Sequence, residues 1–499
     1  MPKLAVPPSA QPVMLKRVST QKFQRPEQRN GPVPLRVKLL QGVGALPGQH
    51  KEWAFNTLLL IYYSQILGLP AGTAAAVLAV ALIVDALTDP LVGALSDSYR
   101  SRFGRRHPFM FMSVIPTTLS AFALFAPPPE LSYTSLTVWM LLATLGLRVS
   151  YTLFVVPWGA VAAELSEDYN ERTSIITYRM AVGWIGGVLF IFGAYTYVFP
   201  SGPTDENGLM QAANYLLFAW VLSGLMLAYI LITSFGTLGQ SRYLPQPTAQ
   251  LPSITLKDML QRTWAALANR NFQRLFAATL IAALVVGTGQ VFDVYMNLYF
   301  WRFSTEDIRW FSIVVLGAIL SFLTATALQT RYEKRDLFMA ALLLLTVLAV
   351  SKVAFRFIGL WPDNGDPLLL WLFVAHGCAM AYCASLILIM YASMMADVAD
   401  EQELANGLRQ EGVYSGGITF AAKATTSLGI LIGGFLLQTV IAFPVQAEPG
   451  TVTEATLVSL AVTDGIIVPL LNLIPLLLLR GYSLDRAAVF AVQARLRQR

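Results

Sequence analysis

The chain is poor in charge. Of its 499 residues only 13% are Asp, Glu, Lys or Arg, against about 25% in an ordinary soluble domain. Three dispersed histidines and only two cysteines make no paired Cys/His spacing of the kind a zinc site uses. No Gly-rich loop ends in Gly-Lys-Ser/Thr, so nothing cradles a nucleotide phosphate for ATP-driven work. His376 lies in an apolar stretch with no Ser nucleophile placed beside it by any motif, so hydrolytic chemistry has no starting point and the chain is not read as an enzyme. Cys378 and Cys383 are five residues apart in one apolar run and face different sides of a helix, as packing residues rather than a disulfide pair.

What is abundant is hydrocarbon. Hydrophobic residues make up 55% of the chain and the mean hydropathy is +0.57, which describes a polytopic membrane protein. The formal net charge of +6 does not point to nucleic acid, because the basic residues are spread over short loops and the two ends. Runs long enough to cross about 30 Å of hydrocarbon, roughly 20 residues each, recur twelve times: Trp53–Leu69, Gly72–Ser96, Pro108–Ala126, Ser135–Ala163, Tyr178–Val198, Ala213–Phe235, Phe272–Phe300, Trp310–Gln329, Leu337–Phe357, Leu368–Met395, Val413–Ile441 and Thr453–Leu479.

Loops with arginine, at Arg100–Arg106, Arg172, Arg242–Arg274, Arg331–Arg335, Arg409 and Arg480–Arg499, alternate with loops that hold no Lys or Arg, at Pro70–Ala71, Pro127–Tyr133, Phe199–Gln211 and Pro444–Glu454. The positive-inside rule places the first set, and both termini, in the cytoplasm. A monomer in the plasma (inner) membrane is expected. Arg302, Arg309, Lys352 and Arg356 fall on the other side, where snorkelling accounts for them. Trp53, Trp301, Trp310, Trp361 and Trp371 are read as interfacial belt residues.

Residues 1–50 carry eight Lys/Arg and eight Pro and read as a basic, largely disordered tail without a signal peptide, whose last part lies along the membrane. Residues 51–235 form an N-terminal six-helix bundle, 236–271 a linker with a surface helix over Ser253–Leu267, 272–481 a C-terminal six-helix bundle, and 482–499 a second basic tail. The turn after the second span, Tyr99-Arg-Ser-Arg-Phe-Gly-Arg-Arg-His-Pro-Phe, echoes Gln329-Thr-Arg-Tyr-Glu-Lys-Arg-Asp-Leu-Phe after the eighth, as duplicated halves would. The fold expected is all-α, with two pseudo-symmetric bundles around a central cavity. A channel would need a filter repeat, and none is visible.

Ionisable residues within the spans mark the site. Asp85 and Asp89 follow the apolar run Ala74–Val84, and each central Asp costs about 2.5–3.5 kcal/mol unless compensated. At i and i+4 they share one helix face and can share one cation or proton. Arg148, Arg179, Asp293, His376 and Lys423 complete the intramembrane set. Lys423 and Arg179 offer cationic donors to a carboxylate, a phosphate or a hydroxyl-rich ligand, or else pair with Asp89 or Asp293. Asp293 is a candidate proton carrier and substrate contact. Asp97, Arg102, Arg105 and Arg106, with Asp397, Asp400 and Glu401, are candidates for cytoplasmic gating ion pairs.

Three segments carry a family resemblance. Asp85-Ala-Leu-Thr-Asp-Pro-Leu-Val-Gly, running on to Arg100-Ser-Arg-Phe-Gly-Arg-Arg-His-Pro, resembles the second helix and following loop of the glycoside-pentoside-hexuronide:cation symporters, the melibiose-carrier family of the major facilitator superfamily. Val156-Pro-Trp-Gly-Ala-Val-Ala-Ala-Glu, running to Tyr178-Arg179, resembles the fourth-to-fifth helix signature of that family, and Arg409-Gln-Glu-Gly-Val-Tyr-Ser with Lys423 its eleventh helix. The resemblance implies a coupling-ion site at Asp85, Asp89 and Thr152 for Na⁺ or H⁺, with no other cofactor. It also implies a third carboxylate where Val155 stands, a sugar-binding Asp where Gln49 stands, and an aromatic sugar platform where Gly159 stands. Arg148, four and seven residues before Thr152 and Val155, falls on the face of that ion site, either as a tethered cation or in a fixed structural pair.

The sodium-dependent lysolipid transporters, a distant branch, are similar in having Gln at the Gln49 position and Tyr-Arg-Met at Tyr178–Met180, which implies an anionic headgroup near Arg179 and Lys423. The function expected is cation-coupled symport of a small polar solute such as a sugar or glycoside. The alternatives are transport of an anionic amphiphile or carboxylate, or a non-transporting sensor or scaffold on the same fold.

Overall fold

The computed structural model describes residues 31–99, 101–166, 168–201, 207–244, 267, 269–406 and 411–498. Residues 1–30 of the tail, Arg100, the expected surface helix over 253–266, and Arg409 with its neighbour Gln410 lie outside the described residues. Among the described residues there is no strand, and eleven helices are long and apolar enough to cross a membrane. In chain order α1 is Leu35–Val43 and α2 spans residues 46–66. There follow α3 Ala71–Ser98, α4 His107–Phe125, α5 Tyr133–Glu164, α6 Asn170–Val198, α7 Ala212–Leu238, α8 Arg270–Phe300, α9 Thr305–Arg331, α10 Lys334–Phe357, α11 Pro367–Leu404, α12 Gly417–Val440 and α13 Glu454–Leu479. The last helix, α14, is Arg486–Arg497.

The twelfth span is α2. Its first part, Leu46–Trp53, has a polar run at Gln49, His50, Lys51 and Glu52, and its remainder winds through the π-helical stretches Ala54–Leu59 and Tyr62–Ile66. The span therefore begins about two turns before the position expected from hydropathy. Polar residues facing an internal cavity lower hydropathy as strongly as polar residues in a tail. Likewise α1 is not a loose membrane-surface segment: Val37, Gln41 and Gly42 are buried against the bundle, and the segment after α13 is anchored by buried Tyr482 and Leu484 ahead of the exposed helix α14.

Helices α2–α7 form one bundle and α8–α13 the other. Their backbone ends carry a two-fold echo. The first, fifth, seventh and eleventh spans each finish, on the side of the loops without Lys or Arg, in a π turn closed by an N–H to the carbonyl five residues back: Leu67 to Tyr62, Phe199 to Ala194, Trp301 to Met296 and Ile441 to Leu436. Spans one and seven, and spans five and eleven, are the corresponding members of two six-helix repeats.

Between the bundles α3 packs on α12 and α2 on α8. The α3/α12 approach is close because small residues meet there: a Cβ on Gly434 would lie 2.2 Å from the Ala75 Cβ. On the side of the Lys/Arg-free loops the bundles are hydrogen-bonded together. Gln65 receives the Ala447 N–H at 2.9 Å and reaches the Pro444 carbonyl at 3.3 Å, and Gln438 receives the Gly72 N–H at 2.9 Å. Asn207 donates to the Phe303 carbonyl at 3.0 Å, and Glu306 receives the Ser201 N–H at 3.0 Å.

On the basic side the ion pairs stay within a bundle. Arg105 meets Glu164 at 2.6 Å, Arg106 meets Glu164 at 2.7 Å and Asp97 at 2.5 Å, while Lys334 holds Asp397 at 2.6 Å. Among the described residues no pair joins the arginine loop to Asp397, whereas the Arg106–Asp97 pair of the expected gate set is formed; Arg102 lies over the Phe103 ring. Trp301 is also not interfacial. It is fully buried, its ring 4.5 Å from that of Phe373.

Candidate functional site

Pro90 follows Asp89 within α3 and supplies no N–H to the carbonyl one turn before it, so the helix ladder is interrupted beside the carboxylates. Asp85 is buried, and both carboxylates face α5 and α12. Lys423 of α12 reaches across the bundle boundary to Asp89 at 2.6 Å and Asp85 at 2.9 Å. Arg148 of α5 lies 3.4 Å from the same Asp85 oxygen and stacks over Phe55, 4.5 Å from the ring centroid. The Thr152 hydroxyl sits 3.3 Å from Asp85, 3.2 Å from Asp89 and 3.1 Å from the Arg148 carbonyl. The structure thus brings together all four residues expected at the coupling site, and adds Lys423, expected either on the solute or in a pair with Asp89 or Asp293.

Asp85, Asp89 and Lys423 line one end of a cavity of about 730 Å³ whose walls run along the first turns of α2 and α6, toward the basic loops. Gln49 and Arg179 line it, with Tyr151, Trp158, Val155 and the apolar Ile176, Met180 and Trp184 of α6. Arg179 stacks on the Trp158 indole at 3.7 Å. Trp158 is itself held by α1, its Nε1 donating to the Gln41 carbonyl at 2.9 Å while Gln41 Nε2 donates back to the Trp158 carbonyl at 2.8 Å. The aromatic ring absent at Gly159 thus has a neighbour one residue earlier, covered by a guanidinium.

Two charged residues of the cavity escaped the sequence reading. Lys51 is 3% exposed and pairs with Glu52 at 2.8 Å, its ammonium 4.7 Å from the Tyr151 ring centre. Glu52 projects into the cavity. The signal that marks Glu52 is the spacing of Gln49, Glu52 and Asn56 at i, i+3 and i+7, one face of a helix that continues the first apolar run toward the chain start; Lys51 lies off that face and no such spacing marks it.

Asp293 does not join this cavity. It lines a separate pocket of about 190 Å³ between α2, α6, α8 and α9, with Trp53, Tyr195, Asn297 and Ser312. His376 is placed as a packing residue, its Nε2 2.9 Å from the Leu348 carbonyl.

The family model described as "MFS/sugar transport protein" matches residues 40–486. Among curated proteins, the chain is 23% identical over 388 residues to the isoprimeverose transporter of Lactiplantibacillus pentosus, covering 77% of this chain and 76% of that protein. It is 24% identical to the glucuronide carrier protein homolog of Escherichia coli (strain K12), covering 76% and 78%. Among solved structures, the nucleoside transporter NupG superposes with a TM-score of 0.55 at 14% identity, over 93% of this chain and 98% of that one, which is a likeness of fold. The chain belongs to the MFS/sugar transport protein family, among the glycoside-pentoside-hexuronide:cation symporters of the major facilitator superfamily, and is a multi-pass membrane transporter rather than an enzyme.

Proposed function

We propose that the chain is a secondary transporter that moves a small sugar-like solute with an acidic group by alternating access, and that Asp85, Asp89 and Lys423 form its coupling centre. The observation that carries this reading is the pair of Lys423 contacts, which tie one bundle to the other at the cavity's inner end. A cation taken up by the carboxylates competes with Lys423 for the same oxygens, so ion binding and bundle separation are one event.

The acidic group is inferred from Arg179. It faces the cavity and is stacked on Trp158, a geometry that presents a planar, two-pronged donor to a carboxylate or sulfonate. A relative named as a glucuronide carrier homolog is consistent with that choice. Seals on the side of the Lys/Arg-free loops and a cavity toward the basic loops describe an inward-facing state.

In proteoliposomes, uptake of radiolabelled methyl glucuronide driven by imposed Na⁺ and pH gradients tests the reading. Asp89→Asn and Lys423→Ala should abolish accumulation, and unimpaired accumulation in either would refute it. A second reading is favoured by the stripe Ile176, Met180 and Trp184 at i, i+4 and i+8 beside Arg179: an anionic amphiphile with its headgroup on Arg179 and its chain along α6. Competition of methyl glucuronide binding by a lysophospholipid, and none by neutral glycosides, would select it.

A further inference from the structure

A sodium site needs oxygen atoms with free lone pairs and a surplus of negative charge, since hard cations are held by acceptor oxygens alone. Around Asp85 and Asp89 both Oδ2 atoms are already taken by cationic donors, and the negative charge is matched. The Oδ2 of Asp89 takes the Lys423 ammonium at 2.6 Å, and the Oδ2 of Asp85 takes Lys423 at 2.9 Å and Arg148 at 3.4 Å. The two Oδ1 atoms both face the Thr152 hydroxyl, at 3.3 and 3.2 Å. Val155, on the same face of α5, brings no oxygen at all.

The charges also balance. Asp85 lies within the fields of Lys51, Lys423 and Arg148, and Glu52 within those of the same three. Three cations therefore face the three carboxylates Glu52, Asp85 and Asp89. Both Lys51 and Arg148 are buried, at 3% and 4% exposure, and each is braced by aromatic rings: Lys51 by Tyr151 and Phe55, Arg148 by Phe55. Braced in this way they stay beside the carboxylates, whereas Lys423, on the opposite bundle, leaves whenever the bundles part; its departure frees one negative charge while Arg148 still holds the Asp85 Oδ2.

We propose that Arg148, supported by Lys51, is a tethered cation that occupies the coupling site and excludes sodium, which leaves the proton as the cation the carboxylates can take up. The proposal rests on the coupling centre named above but concerns which ion it accepts. It makes Arg148 a specificity-determining residue, and it predicts that removing the arginine opens a sodium site.

The test uses sodium itself as the probe. Thermal unfolding of the purified full-length protein is followed in NaCl and in choline chloride at equal ionic strength, for the wild type, Arg148→Lys, Arg148→Gln, and Arg148→Gln combined with Val155→Asp. The wild type and Arg148→Lys should melt at the same temperature in both salts. Arg148→Gln/Val155→Asp should show an upward shift specific to sodium that saturates by mass action, with Arg148→Gln intermediate. If the Arg148→Gln variants do not purify as folded protein, Val155→Asp alone, which supplies the extra carboxylate but keeps Arg148 on Asp85, should still melt at the same temperature in both salts, and a saturable sodium shift in it overturns the proposal.

A saturable sodium shift in the wild type overturns the proposal, as does a folded double variant that remains blind to sodium. Transport separates the two claims. Variants that gain sodium binding in a protein moving no solute would sink the transport reading alone, and sodium-driven uptake by the wild type would sink this one alone.

Discussion

Replacing Lys423 by Ala removes the cation shared by two carboxylates inside the membrane. Asp85 keeps Arg148 at 3.4 Å and Thr152 at 3.3 Å, but Asp89 keeps only the Thr152 hydroxyl at 3.2 Å. Removing one member of a buried pair costs about 3–5 kcal/mol because the partner charge stays buried and uncompensated. Here the side chains of Asp89 and Lys423 are 31% and 28% exposed to the cavity, so water screens part of that cost and about 2–3 kcal/mol is expected.

The informative comparison is with Lys423→Gln/Asp89→Asn, which removes one charge on each side and leaves Arg148 paired with Asp85. It should recover most of the lost thermal stability and none of the gradient-driven uptake. Fluorescence-detected unfolding in detergent gives the first quantity and proteoliposome flux the second. A Lys423→Ala protein as stable as the wild type would show that the pairs do not hold the bundles, and a transporting double variant would show that they are not the coupling centre.

Arg179→Ala should weaken binding of an acidic sugar at least tenfold by isothermal titration, about 1.4 kcal/mol, and Arg179→Lys should not restore it, because an ammonium cannot reproduce the planar stack on Trp158. Gln65→Ala removes contacts to Ala447 and Pro444 across the sealed side. At roughly 0.5–1.5 kcal/mol per hydrogen bond the equilibrium should shift toward the outward-facing state, read as faster thiol labelling of a cysteine introduced at Ser64, which is buried beside Gln65 under the seal. Gly434→Leu places a branched side chain where even a Cβ would be 2.2 Å from Ala75; overpacking of about 1–3 kcal/mol should lower the melting temperature and the inward-facing population, measured by distances between spin labels on α3 and α12.

The twelve spans and their division into two sixes were legible because bilayer thickness imposes a local rule on each segment, and the basic turns after the second and eighth spans marked the repeat. Asp85, Asp89, Arg148 and Lys423 were legible as expensive residues for the same reason. The start of the first span was not: Gln49, Lys51 and Glu52 face a cavity, and a window average cannot tell that cavity from the aqueous tail. Nor could α1 be read as the brace of Trp158, since the reciprocal bonds of Gln41 join residues 117 positions apart.

By itself, then, the sequence determined the number of spans, the alternation of loops with and without arginine and the list of charges that must be compensated inside the membrane, because each follows from the local cost of placing a residue type in hydrocarbon. Only the tertiary structure decided which charge compensates which. It set Lys423 on both aspartates and Arg148 against Asp85, with Lys51 behind them, sent Asp293 to a different pocket, and kept Asp397 with Lys334 instead of the arginine loop. Those pairings depend on how α3, α5 and α12 pack, and partners in ion pairs are chosen over a few ångströms, whatever their separation along the chain.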